Sequence, residues 1–201
     1  MVIGIMGGTF DPVHNGHLQM AQAAQTQLGC DRVLWIPTGL PPHKNTAVSN
    51  EDRLAMLRLA TDGLLGHEVD LCEYRREGYS RTVDTLRELH NRYPNDSFVF
   101  IIGADIVLQL EHWKDFATVS TLCSFGVAVR PTVADSRLEE QLEYLKKTYQ
   151  TEFLRMDFPH IPLSSSAIRE ALAWGKDVSE QVPKAVYAYI KEHNLYKELM
   201  E

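Results

Sequence analysis

Gly7-Gly8-Thr9-Phe10-Asp11-Pro12-Val13-His14-Asn15-Gly16-His17 follows directly on the short apolar run Val2 to Met6. The pattern reads as a strand that ends in a glycine turn and opens a helix, which brings backbone N–H groups and a helix N-terminus to an anion. His14 and His17, three residues apart, share one side of that helix start. The chemistry this suggests is phosphate handling. A metal pair would need a third ligand nearby, and none of suitable type is present. Late in the chain stands Ser164-Ser165-Ser166-Ala167-Ile168-Arg169. A serine-rich helix start is by itself a common cap. With Arg169 one turn further on, however, hydroxyls, amide N–H groups, a helix dipole and a guanidinium converge on a second anion site.

The glycines do not form GxGxxG, and the second strand ends in Pro37 and Thr38 without the acid that would hold an NAD ribose. This disfavours hydride transfer from a dinucleotide. GxxxxGK[ST] is absent as well, which disfavours a P-loop ATPase.

The elements that must position these residues alternate. Apolar runs lie at Val2 to Met6, Arg32 to Ile36, Val69 to Cys72 (a weaker one), Phe98 to Ile102, Phe125 to Val129 and Phe153 to Met156. Helical periodicity appears in Leu18, Ala21, Ala24 and Leu28, which stop at Gly29, and in Leu54, Leu57 and Ala60 after the capping candidates Ser49 and Asn50. Val83, Leu86 and Leu89 mark a third helix, and Leu138, Leu142 and Leu145 a fourth. The tail from Ser164 to Tyr196 reads as two helices, the second opened by Pro183 at its first helical position. Strand–helix alternation with wholly apolar strands predicts an α/β fold with a doubly wound, mostly parallel, Rossmann-like sheet and a C-terminal helical elaboration over roughly 164–201. Ligands of such sheets bind at the carboxyl ends of the strands. Gly7 to His17, Thr38 to Lys44, Gly103 with Asp105, and Arg130 all follow strands.

A chain of 201 residues with no linker-like tract is expected to be one domain, 1–201. Its net charge of −7, without a basic patch, argues against nucleic acid as a partner. Cys30, Cys72 and Cys123 are widely spaced and odd in number, so neither a disulfide framework nor a zinc site is expected and a cytoplasmic setting fits. No signal-like or membrane-spanning apolar stretch is seen, so no membrane association is expected. Homo-oligomerisation stays open.

The glycine–histidine segment resembles the (H/T)xGH signature of the nucleotidyltransferase α/β-phosphodiesterase superfamily, and Ser164 to Arg169 resembles that superfamily's second signature. The match extends over nearly the whole chain. Within the superfamily the pattern is most similar to the bacterial nicotinate-nucleotide adenylyltransferases: Pro41-Pro42-His43-Lys44, Ser80-Arg81-Thr82-Val83-Asp84-Thr85-Leu86, Ile101-Ile102-Gly103-Ala104-Asp105 with Trp113, and Val182-Pro183 to Tyr196 all resemble segments of that family. Arg81 stands where the family usually has an aromatic residue, and Lys114 where it often has tyrosine.

The resemblance implies adenylyl transfer from ATP to nicotinate mononucleotide in NAD biosynthesis. Nicotinamide mononucleotide or phosphopantetheine as acceptor, or a non-catalytic nucleotide-binding module, are the alternatives. It implies that His14, His17 and Arg169 are catalytic. ATP would be held by Gly7, Gly8, Thr9, Phe10, His17, Gly103, Asp105, Ser164, Ser165, Ser166, Ile168 and Arg169, and Mg²⁺ would be bound through the ATP phosphates without a protein metal site. His43, Lys44, Thr82, Trp113 and Arg130 would meet the acceptor.

Overall fold

The computed structural model describes residues 1–42, 45–129, 135–159 and 162–197. Six strands, β1 (Val2–Gly8), β2 (Arg32–Pro37), β3 (His67–Val69), β4 (Ser97–Gly103), β5 (Ser124–Val129) and β6 (Phe153–Asp157), form one sheet in the order β3-β2-β1-β4-β5-β6. Every neighbouring pair is parallel, so the sheet is wholly rather than mostly parallel. Strand order reverses between β1 and β4, which opens a crevice at their carboxyl ends.

Alternating residues of the apolar strands feed two cores. Helices α1 (Asn15–Leu28), α2 (Asn50–Thr61), α8 (Ser165–Ala173) and α9 (Lys184–Glu192) cover one face, burying Ala21, Met56, Ile168 and Val186 with Val99 and Ile101. The other face is covered by α3 (Cys72–Arg75), α4 (Thr82–Arg92), α5 (Ala104–Val107), α6 (Phe116–Leu122) and α7 (Ser136–Tyr149), which pack Leu86, Val119 and Leu142 on Ile5, Phe100 and Phe125. Both faces of β1 and β4 are therefore dry, as a continuous apolar strand requires.

Local chemistry sets the ends of the helices. α1 stops where Gly29 turns left-handed at φ 65°, and α2 starts where the Ser49 hydroxyl accepts the Asp52 amide. The Trp35 indole on β2 donates to His67 Nδ1 at 2.9 Å, which leaves the His67 proton on Nε2 to bond Gln25 Oε1 at 2.9 Å. Strands β2 and β3 and helix α1 are thereby tied behind the β1 turn.

Two expectations are corrected. The third strand is His67–Val69, and Cys72 opens α3 instead of closing a strand. The edge strand is only three residues long, and the apolar Leu71 and Cys72 belong to the following helix turn. Pro183 is the N-cap of α9 with extended backbone, one residue before the first helical position. Among the described residues no helix is long and apolar enough to cross a membrane.

Candidate active site

Gly7 and Gly8 close β1, and the chain then turns through Phe10, which is buried with a left-handed φ of 49°. A side chain on Gly7 would meet the Phe100 ring at 3.0 Å, so the turn sits hard on β4. The Phe10 ring fixes its own strained backbone by packing edge-on against His17 at 5.2 Å and tilted against Trp35 at 5.5 Å. The Asp11–Pro12 peptide is cis.

His14 is the N-cap of α1. Its amide donates to His17 Nδ1 at 3.2 Å, and the two imidazoles stack at 3.7 Å and 23°. Gly16 allows this close approach, because a Cβ there would lie 3.0 Å from His14 Nδ1. His14 is 6% exposed, and its Nδ1 has no hydrogen-bond partner among the described residues. Burial drives its pKa down to about 4, so the ring is neutral at neutral pH.

The late serine–arginine segment meets this turn directly. Arg169 donates from Nη1 to the Asp11 carbonyl at 2.7 Å and from Nη2 to Ser166 Oγ at 3.2 Å. The Ser165 hydroxyl donates to the Pro12 carbonyl at 2.9 Å, while the Ser164 hydroxyl accepts the Ala167 amide and caps α8. Residues about 150 positions apart thus form one wall. The Ile168 side chain is fully buried in the core, so only its backbone can face a ligand.

Gly103 is the N-cap of α5 beside the same crevice, and Asp105 is exposed in its first turn. Thr82 is the first residue of α4, whose N-cap Arg81 makes no capping side-chain bond. The Gly39 amide donates to Ser80 Oγ at 3.0 Å and the Ser80 amide to the Leu40 carbonyl at 2.9 Å, so the loop after β2 is zipped to the start of α4. A cleft of about 900 Å³ lies alongside, walled by Pro41, Pro42, Thr46, Glu73 and Tyr79. Trp113 is half-buried, edge-on to Phe100 at 5.4 Å and to Phe125 at 6.2 Å. Phe100 links it to the β1 turn, since the same ring abuts Gly7. His43, Lys44 and Arg130 lie outside the described residues.

Three supporting residues escaped the reading of the sequence. The Asp11 carboxyl is buried, taking the Tyr196 hydroxyl at 2.8 Å and the Ala47 amide at 2.7 Å. Arg53 is wholly buried beneath the turn. A signal for it existed, since Arg53 occupies the stripe of Met56, Leu57 and Ala60 where an apolar residue is expected. Tyr196 ends the family-like segment that starts at Val182, but nothing local in the sequence marks its bond to Asp11.

The chain matches the cytidylyltransferase-like family over residues 5–171. It is 38% identical to the probable nicotinate-nucleotide adenylyltransferase of Thermoanaerobacter sp. (strain X514), covering 97% of this chain and 94% of that one. It is 40% identical to the protein of the same description from Desulfitobacterium hafniense (strain DSM 10664 / DCB-2), covering 97% and 95%. The fold is similar to that of Plasmodium falciparum nicotinic acid mononucleotide adenylyltransferase complexed with NaAD, at a TM-score of 0.80 and 18% identity over 100% of this chain and 99% of that one. With its site built from the two segments that first pointed to phosphate chemistry, the chain belongs to the cytidylyltransferase-like family and, within it, to the nicotinate-nucleotide adenylyltransferases.

Proposed function

We propose that the protein joins ATP and nicotinate mononucleotide, releasing pyrophosphate and forming nicotinate adenine dinucleotide for NAD biosynthesis. The observation that carries this reading is the stitch between the β1 turn and α8, in which Arg169 and Ser165 hold the Asp11 and Pro12 carbonyls beside His14 and His17. Neither segment alone makes a site for a triphosphate. Together they supply donors along one wall.

In the reaction, a 5′-phosphate oxygen of the acceptor attacks the α-phosphorus of ATP while the bond from that phosphorus to the bridging oxygen breaks. A phosphate is already nucleophilic at neutral pH, so the protein's task is alignment and stabilisation of moving charge. Alignment alone contributes about 7–11 kcal/mol when geometry is good. His17, with Nδ1 accepting the His14 amide, carries its proton on Nε2 as a donor to the reacting phosphate, and neutral His14 beside it serves as a second donor. Arg169 and the α8 N-terminus from Ser164 to Ser166 receive the β- and γ-phosphates. Gly7, Gly8, Thr9 and Phe10 allow close approach of the nucleotide to the backbone, and Gly103 and Asp105 meet its ribose.

Mg²⁺ would come with the nucleotide, bound through the ATP phosphates, and would supply positive charge to offset that of the leaving pyrophosphate. Among the described residues no group of three or more His, Cys, Asp or Glu is gathered to cage an ion. On the acceptor side, Thr82 and the α4 N-terminus take the nicotinate carboxylate, with His43, Lys44 and Arg130 for its phosphate and Trp113 for the ring. The three cysteines are buried thiols, which suits a reducing cytoplasm.

Pyrophosphate release from Mg·ATP, assayed with nicotinate mononucleotide, nicotinamide mononucleotide and phosphopantetheine in turn, tests the reading. Turnover with nicotinate mononucleotide well above the other two is expected. Release with none of the three removes the enzymatic reading, and release with phosphopantetheine only reassigns the acceptor.

A further inference from the structure

Arg53 is 0% exposed, yet all four of its hydrogen-bond acceptors are uncharged oxygens: Thr9 O at 2.6 Å from Nη1, and Thr38 O at 2.8 Å, Gly39 O at 3.5 Å and Asn50 Oδ1 at 2.5 Å from Nη2. Among the described residues it forms no ion pair, and its Nε is buried without a partner. The Tyr74 ring lies 5.4 Å from the guanidinium carbon. A buried cation without a carboxylate is costly, and a leucine or methionine would complete the apolar stripe of α2 without that cost. Stability of the core therefore does not explain the charge.

What the guanidinium holds does explain it. β1 ends at Gly8 and β2 at Pro37, and the Thr38 amide extends their ladder by donating to the Gly8 carbonyl at 2.8 Å. Beyond that bond no strand pairing keeps the two chain ends together, and there the fork of Arg53 spans Thr9 O and Thr38 O, one nitrogen to each. In a planar trans peptide the N–H points opposite to the C=O. Fixing the Thr9 carbonyl on Arg53 thus turns the Phe10 N–H away from α2. The same constraint turns the Gly39 N–H away, and that group is indeed engaged on the far side by Ser80 Oγ.

We propose that Arg53 is a positioning residue for adenylyl transfer, locking the two turns after β1 and β2 into one rigid edge and aiming the Thr9–Phe10 peptide at the nucleotide phosphates. This rests on the function proposed above. A lysine would keep the charge but offers a point donor in place of the fork, so it does not replace Arg53.

The test compares wild type with R53K and R53M, measuring kcat for pyrophosphate release at saturating Mg·ATP and nicotinate mononucleotide per folded molecule, and the rise in Tm on adding Mg·ATP. Both variants are expected to lose about 10²-fold in kcat, the scale of a misplacement of about 1 Å at the reacting centre. Their ATP-induced rise in Tm is expected to shrink to less than half of the wild-type rise. A merely structural Arg53 lowers the starting Tm and leaves kcat per folded molecule unchanged. A folded R53K retaining more than about one fifth of the wild-type kcat overturns the proposal, and should R53M fail to fold, R53K decides by the same measure. If wild type itself releases no pyrophosphate, the functional reading falls instead. Arg53 is then judged on the ATP-induced Tm rise alone, an equal rise in wild type and R53K overturning its role.

Discussion

Because His17 Nδ1 accepts the His14 amide, the imidazole proton sits on Nε2, and the proposed reaction uses that donor where charge moves in the transition state. His17→Ala should lower kcat by about 10² to 10³, the scale for one transition-state donor. Steady-state pyrophosphate release checks this, and near-normal turnover would take His17 out of the chemistry. His14 makes a different prediction, about stability. Its pKa falls from 6.5 to about 4 on folding because burial disfavours the imidazolium. Between those two values the unfolded chain binds the proton and the folded chain does not, so stability rises with pH across that window and levels off above it. The difference is about 3 kcal/mol. Urea unfolding at pH 4.5, 5.5 and 7 should show this slope in wild type and a flatter one in His14→Gln; parallel slopes would rule out His14 as its source.

At the scale of elements, the β1 turn is held by pieces of chain that lie nowhere near it in sequence. Asn15 bonds the Glu180 and Gln181 carbonyls, at 3.0 and 2.9 Å, Tyr189 bonds Asp52, and Tyr196 bonds Asp11, so the segment carrying α9 straps α1 and α2 in place. Tyr196→Phe leaves a buried Asp11 oxygen without its donor and should cost about 1–3 kcal/mol of unfolding free energy. Since the Asp11 carbonyl is also the anchor of Arg169, kcat should fall with it, by about tenfold on the scale of modest misplacement. Denaturation and turnover on the same sample check both, and a variant of unchanged stability would remove the strap from the account. The helices and strands framing this strap were readable because each has its own local cause: Gly29 ends α1, Ser49 starts α2, and the apolar runs of β1 and β4 demand two covered faces. The candidate pair His14 and His17 and the serine–arginine turn, which the fold brings together, stood out in the sequence for the same reason, being compact segments with chemically loaded residues. The edge strand His67–Val69 was misplaced because three residues cannot display a period. Contacts such as Tyr196 with Asp11 carry no local signature, since 185 residues separate them and only the assembled core brings them together.

At the scale of the molecule, the site exists only when the fold does. His14 and His17 come from the cap and first turn of α1, Arg169 from α8, and Arg53 and Tyr196 hold the β1 turn. An unfolded or partly opened chain offers no triphosphate this set of donors, so on the proposed function ATP should bind the native state alone and stabilise it by mass action. With Mg·ATP at about a hundredfold above its Kd, stability should rise by about 2.7 kcal/mol. For a chain of this size each kcal/mol moves Tm by about 2–4 °C, giving a rise of about 5–11 °C. Because α8 supplies one wall, Arg169→Ala should remove most of that rise while the core of the sheet, to which Arg169 contributes no apolar surface, keeps the unliganded Tm near its wild-type value. Scanning fluorimetry with and without Mg·ATP reads both effects. A full ATP-induced rise in Arg169→Ala would mean that the nucleotide is held elsewhere than between the β1 turn and α8.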